Sequence, residues 1–362
     1  MLKDDFCMIG VGQGGCKMAK EFYDNKYRSF FINTSYDDLS QLKVDDSYTY
    51  HIPSAKGCAK QRDVAINYAK NYYEEMTGKL MDVHPTAKMF VVHYTLGGGT
   101  GGGLSNVFIA TLRNKLIKMG KKDWTIIAVV AKPRSFESYQ LQHNASKSLE
   151  DLLKLESAGI VTQYYVINND SRDDFNEINQ EHYILLDRWI EGEGANNDSN
   201  VEESERLDLF KNKGQAMMFT FDSITTETFR DECKKAYEDS IYCQPIKRPN
   251  SVGYALNEKI KEKDAIGLIE EVVGLFPNSH MTPTKVSNVV MVAGCEENKS
   301  IMNGIKNLAN KKATLINEDV VSSEEVEDIE LTSLNRNAKK SKAKKDDEES
   351  MASIDDILNF FS

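Results

Sequence analysis

Along the chain, unbroken apolar runs alternate with stretches in which apolar residues recur at helical spacing. "DFCMIGVG" (5–12) is a short apolar run closed by glycine, which predicts a buried strand entering a turn, and "GGCKMAKEFYD" (14–24) then takes helical spacing. "SFFINT" (29–34), "KMFVVHYTL" (88–96), "DWTIIAVVAKP" (123–133) and "VTQYYVINND" (161–170) read as further strands. "SNVFIATLRNKLIKMG" (105–120) and a segment near 138–158 read as helices. Strands apolar throughout and separated by helices predict a parallel sheet covered on both faces over about residues 1–170. "DDFNEINQEHYILLDRWIEG" (173–192) reads as one long helix ending at glycine. A second region, about 200–315, holds "AMMFTF", "SVGYALNE" and "VSNVVMVAGC" as strands.

From about 318 the pattern dissolves. "RNAKKSKAKK" (336–345) carries six positive charges in ten residues, and "DDEE" follows. Such charge blocks predict a solvated, flexible tail. "SIDDILNFF" (353–361) turns apolar again, which predicts a short peptide that folds on a partner.

Composition narrows the class. With 362 residues the chain is long enough for two ordinary domains, and 40% hydrophobic with 28% charged residues reads as a soluble globular protein. A net charge of -11 argues against the main surface holding bare DNA, because phosphate binding is largely electrostatic. Cys7, Cys16, Cys58, Cys233, Cys243 and Cys295 are scattered without a CxxC pair, so neither a disulfide framework nor a zinc site is expected, and a reducing cytoplasm fits. Residues 1–15 do not read as a signal peptide. No run reaches about 18 apolar residues, so no membrane span is expected.

"GGGTGGG" (97–103) lies between a buried strand and an amphipathic helix. Glycines there let backbone N–H groups approach an anion, the helix N-terminus adds partial positive charge, and Thr100 adds a hydroxyl; a polyphosphate ligand is expected. "GVGQGG" (10–15) also joins a strand to a helix. Alone it would point to a dinucleotide-dependent oxidoreductase, which leaves "GGGTGGG" unexplained. Neither a Walker A GxxxxGK[ST] nor an NKxD guanine signature occurs.

"GGGTGGG" is very similar to the G-G-G-T-G-[SG]-G signature of the tubulin/FtsZ superfamily, and the resemblance extends over about 5–315. It implies nucleotide contacts from Gly97, Gly98, Gly99, Thr100, Gly101, Gly102 and Gly103. "IGVGQGGCK" resembles the first phosphate loop, which carries Gly12, Gln13, Gly14, Gly15 and Cys16 into the site. "INTSYDDL" (32–39) resembles the stretch that supplies Asn33, but Ser35 stands where FtsZ has aspartate, leaving Asp37 or Asp38 to serve. "KGCAKQR" (56–62) sits at the place of the γ-phosphate-sensing loop, with Gly57, Ala59 and Lys60. "VVAKPRSFES" (129–138) resembles the FtsZ stretch that brings Pro133 and a ribose-binding glutamate, here Glu137. "VINND" resembles "VIPND", placing the base reader at Asn169, or else Asn168; a side-chain amide both donates and accepts, which suits a guanine edge. The long helix should add an aromatic and, one turn later, an amide or carboxylate. Phe175 with Asn179 and Tyr183 with Asp187 both have that spacing. The first pair is preferred, because the helix must reach from the base pocket to a catalytic loop, and Asn179 to Asn200 allows about 30 Å against about 20 Å from Asp187. "NVEESE" (200–205) resembles the catalytic N-V-D-x-x-D, with Asn200 and with Glu202 and Glu205 in place of the aspartates.

The resemblance implies an α/β tubulin/FtsZ fold: a Rossmann-like GTP-binding domain with a parallel sheet (1–172), a long central helix and connection (173–199), a C-terminal α/β activation domain (200–317) and a disordered tail (318–362). It implies GTP/GDP and Mg2+ as ligands and head-to-tail filaments with hydrolysis completed between subunits. The chain looks most like TubZ proteins, which segregate plasmid or phage DNA; that implies a DNA-bound adaptor of the TubR type on the tail, and little direct DNA or membrane binding. A phage tubulin that positions DNA, a divergent FtsZ-like division protein and a non-hydrolysing scaffold remain alternatives.

Overall fold

The computed structural model describes residues 2–191, 203–257, 259–284 and 287–323. Asn200, Glu202 and the expected terminal peptide lie outside the described residues. The first half runs β1 (Phe6–Val11), α1 (Gly12–Asp24), β2 (Arg28–Asn33), α2 (Tyr36–Gln41), β3 (Thr49–His51), α3 (Arg62–Val83), β4 (Met89–Thr95), α4 (Gly99–Lys118), β5 (Thr125–Lys132), α5 (Tyr139–Ser157) and β6 (Gln163–Asn168). The long α6 (Phe175–Glu191) follows. Beyond it come α7 (Glu203–Phe210), β7 (Gly214–Phe221), α8 (Thr226–Glu238), β8 (Ser251–Asn257), α9 (Glu262–Val273), β9 (Asn278–Thr284), β10 (Asn288–Cys295) and α10 (Lys299–Ser323).

The strands form one ten-stranded mixed sheet in the order β3-β2-β1-β4-β5-β6-β7-β10-β8-β9. Pairing is parallel from β3 through β7, β10 is antiparallel to β7 and β8, and β9 is parallel to β8. The two halves therefore share a sheet: β6 and β7 pair through Gln163↔Gly214, Tyr164↔Gln215 and Tyr165↔Ala216.

Strands buried on both faces need apolar residues at every position, and successive side chains divide between two cores. Met8 joins the cluster that contains Phe22 of α1 and Trp189 of α6. Its neighbours Cys7 and Ile9 join the cluster with Ala65 of α3, Leu104 of α4, Leu149 of α5 and Met302 of α10. In α6, Ile178, His182, Leu185, Leu186, Trp189 and Ile190 are buried, a stripe at helical spacing that packs on α1, β7 and β10 and so straddles both halves.

Two starts differ from the sequence reading. α4 begins at Gly99, not Ser105, and α1 at Gly12, not Gly14. The glycine motifs are thus largely first helical turns rather than loops; glycine disfavours a helix by only about 1 kcal/mol per residue, and tertiary packing outweighs that. At the other end α10 continues to Ser323, past the start of the expected tail.

Candidate functional site

After β1 the chain winds to β2 and β3 on one side, and after β4 to β5 and β6 on the other, so β1 and β4 meet at a topological switch point. Ligand crevices of open α/β sheets lie there, beyond the carboxyl ends of the strands. Val11 pairs with Tyr94, so α1 and α4 leave the sheet side by side with both N-termini at the same place. A cleft of about 710 Å³ opens over them.

Its floor explains the glycine run. No residue from 97 to 103 has a positive φ; what the run provides is close approach. A Cβ on Gly97 would lie 2.8 Å from Leu141 O, on Gly99 2.9 Å from Lys60 Cα, and on Gly101 2.9 Å from Thr95 O. Gly12 does need its glycine: φ is +69° and a Cβ would lie 2.8 Å from Gly101 N, so the two glycine motifs touch. Gln13, Gly14, Gly97, Gly98, Gly99, Thr100 and Gly101 line the cleft. Gly12, Gly15, Cys16, Gly102 and Gly103, expected at the nucleotide, do not. Gly15 packs on His93 O and Gly102 on Leu96 O, at β4 and its end, and Gly103 on Arg62 O at the start of α3, so their close approaches serve packing of the helices. The buried Cys16 thiol donates to Gly10 O at 3.4 Å, and burial holds its pKa well above the ordinary value.

The adjoining wall is β2's end and the 53–61 loop. Thr100 Oγ1 and Thr34 Oγ1 share a hydrogen bond of 2.7 Å, and Thr34 N donates to Asn33 Oδ1 at 2.8 Å. Asn33 Nδ2 and Gln13 Nε2 donate to the two carboxylate oxygens of Asp38, at 3.3 and 3.4 Å. Of the two candidates beside Ser35, Asp38 lines the cleft and Asp37 does not; Ser35 Oγ caps α2 by accepting from Asp38 N. Gly57, Ala59 and Lys60 of the 53–61 loop also line the cleft, with φ of +86°, +44° and +62°. Their strained turn is pinned where Gly57 N donates to Thr34 O and Asn144 Nδ2 to Lys60 O, both at 2.8 Å.

The far wall comes from the ends of β5 and β6 and the start of α6. Pro133, Glu137, Asn169, Phe175 and Asn179 all line it. Asn169 and Asn179 are 8% and 7% exposed, while the Phe175 ring is 46% exposed. The competing pair is elsewhere: Asp187 accepts from Tyr27 Oη at 2.7 Å and Tyr183 Oη at 3.1 Å, away from the cleft. Asn168 is used internally, its Oδ1 accepting from Asp170 N.

This arrangement has known counterparts. A sequence model of the Tubulin/FtsZ family, GTPase domain, matches residues 5–172. The chain carries a tubulin/FtsZ GTPase domain. A tubulin-like protein TubZ from Clostridium botulinum C phage is 25% identical over 369 residues, covering 100% of this chain and 99% of the relative. Among solved structures, the tail-truncated TubZ of Clostridium botulinum phage c-st matches with a TM-score of 0.77 and 22% identity over 87% of this chain and all of that one. A GTPγS-form protofilament of Bacillus thuringiensis serovar israelensis TubZ matches with a TM-score of 0.74 and 13% identity over 88% and 94% of the two chains. The fold is the tubulin/FtsZ fold, and the protein is a GTPase that binds guanine nucleotide.

Glu205 is not at the cleft of its own GTPase domain. It is exposed on α7, and Gln163 Nε2, at the start of β6, donates to Leu209 O of that helix at 2.9 Å. The cleft lies past the other end of β6, so the strand's length, about 20 Å, separates them. Several cleft residues escaped the sequence reading. Thr34 and Lys17 line the cleft and stood inside quoted motifs without being singled out, whereas Asn144, which pins the 57–60 turn without lining the cleft, carries no local signal.

Proposed function

We propose that this chain is a cytoplasmic, filament-forming GTPase whose cleft binds GTP and whose opposite end, where Glu205 lies, completes the site of the next subunit, with Glu202 and Glu205 as the catalytic carboxylates. The filament would move plasmid or phage DNA through a DNA-bound adaptor of the TubR type held by the C-terminal tail. One observation carries the nucleotide assignment: two buried amides, Asn169 and Asn179, sit on the wall of the same cleft whose floor is formed by two helix N-termini. Backbone N–H groups of Gly98–Gly101 and the Thr100 hydroxyl would hold phosphate oxygens. Glu137 would take the ribose, Phe175 would stack on the base, and the two amides would read its edge. Mg2+ fits this site, since it is bound by one or two carboxylates together with phosphates, and Asp38 stands on the phosphate wall. When bound it would neutralise charge on the transferred phosphoryl group. The chemistry left to the chain is positioning, with carboxylates of a neighbouring copy orienting and polarising the attacking water. The separation of Glu205 from its own cleft and the protofilament of the Bacillus relative support this division of labour.

Base choice tests the assignment. GTP should support sedimentable polymer and ATP should not, and Asn179→Leu should narrow that preference by about tenfold, through loss of an amide hydrogen bond to the base. Equal assembly of the unaltered protein with ATP would contradict it.

A further inference from the structure

The base wall is built on an arginine that does not itself line the cleft. The Arg134 guanidinium lies 4.1 Å from the centroid of the Phe175 ring and 5.9 Å from that of Phe136. Its Nε donates to Asn169 O at 3.1 Å, and its Nη2 to Arg172 O at 3.2 Å and Asp173 O at 2.6 Å. One side chain therefore holds the backbone of the amide that faces the cleft, the backbone leading into α6, and the first ring of α6. Phe175 lines the cleft and is nearly half exposed, so its neighbours leave it room to change rotamer. A flat cation on one face restrains it while leaving area for a base. Only arginine combines a planar face with a fork of donors; lysine supplies a point charge.

We infer that Arg134 is a positioning residue for the guanine base, acting through Phe175, with its bonds to the 169–173 backbone fixing the guanidinium in place. The inference rests on reading this cleft as the guanine site. Arg134→Met and Phe175→Ala, made singly and together, test it by calorimetric titration of GDP into protein diluted below assembly. Each single change should weaken GDP binding by about tenfold, and the double variant should bind no more weakly than Phe175→Ala alone. Inorganic tripolyphosphate, which has no base to stack, should compete equally well in Arg134→Met and unaltered protein. Multiplied losses in the double variant, or an equal loss for tripolyphosphate, would overturn the role of Arg134. Unchanged GDP binding in Phe175→Ala would overturn instead the base-wall reading beneath it. If Arg134→Met does not fold, Arg134→Lys completes the same cycle, with a smaller loss expected and again none in the Phe175→Ala background.

Discussion

A single methyl group at Gly101 distinguishes the roles of the glycine run. The added carbon would meet Thr95 O at 2.9 Å, Thr95 N at 3.2 Å and Val11 O at 3.3 Å, all backbone that cannot swing aside. Gly101→Ala should therefore push the start of α4 off the sheet, cost about 1–3 kcal/mol in stability, and abolish nucleotide binding. Thermal melting and GDP titration check the two effects, and wild-type GDP affinity would show that the cradle tolerates the shift. At this scale much of the site was legible. Gly97–Gly101, Asn33, Glu137, Asn169 and the Phe175/Asn179 pair were all placed at the cleft by their motifs and spacing. Gly102 and Gly103 do not line the cleft, and a glycine admitted for close packing on Leu96 and Arg62 looks, in sequence, like one admitted for an anion. Arg134 was quoted but not singled out, since the groups it holds on the base wall lie 35 to 41 residues away.

Among the elements, α6 couples to the sheet through buried imidazoles. His182 Nε2 and His93 Nε2 of β4 are 3.0 Å apart, and His182 Nδ1 meets Tyr242 Oη at 2.6 Å. One imidazole must donate and the other accept, so both cannot be protonated across this contact. Burial lowers the His93 pKa to about 4 and holds His182 well below the ordinary value, the His93 charge adding to the effect. Because the folded chain favours the neutral rings, the stabilisation is full above about pH 6.5 and is lost as pH falls toward about 4, where the unfolded chain binds more protons. The unfolding free energy from denaturant titration should drop across that window with a slope on the order of 1 kcal/mol per pH unit for each histidine. His182→Phe should flatten the slope, and an unchanged slope would place the acid sensitivity elsewhere. Element starts and the polar elements were the least legible. β9, "NSHMTPT", is polar, contains Pro283 and lies at the sheet edge, where a proline is tolerated and apolar alternation is not required. In α3, Tyr, Ala and charged residues surround the helix without a clean apolar stripe, and burial of Ala65, Ala69, Met76 and Leu80 is decided by packing on α4.

For the whole molecule, the sequence reading of successive domains meets a continuous sheet, with α6 laid across the joint. The described sheet and its covering helices end by Ser323, so removal of residues 336–362 should leave GTPase activity and sedimentable polymer nearly intact. The same truncation should abolish capture by a DNA-bound adaptor, and loss of polymer would instead make the tail structural.

The central claim is that each subunit binds GTP at one end and acts on its neighbour's GTP at the other. Turnover per subunit should then be near zero when dilute and rise steeply above a threshold concentration. Glu205→Ala should assemble, hydrolyse slowly and give long-lived filaments. The most direct measurement is the GTP affinity of dilute Glu205→Ala protein below that threshold, set beside Gly101→Ala. The account predicts wild-type affinity for the glutamate variant and none for the glycine variant. An equal loss in both would place Glu205 in its own subunit's site and contradict the division of labour between the two ends.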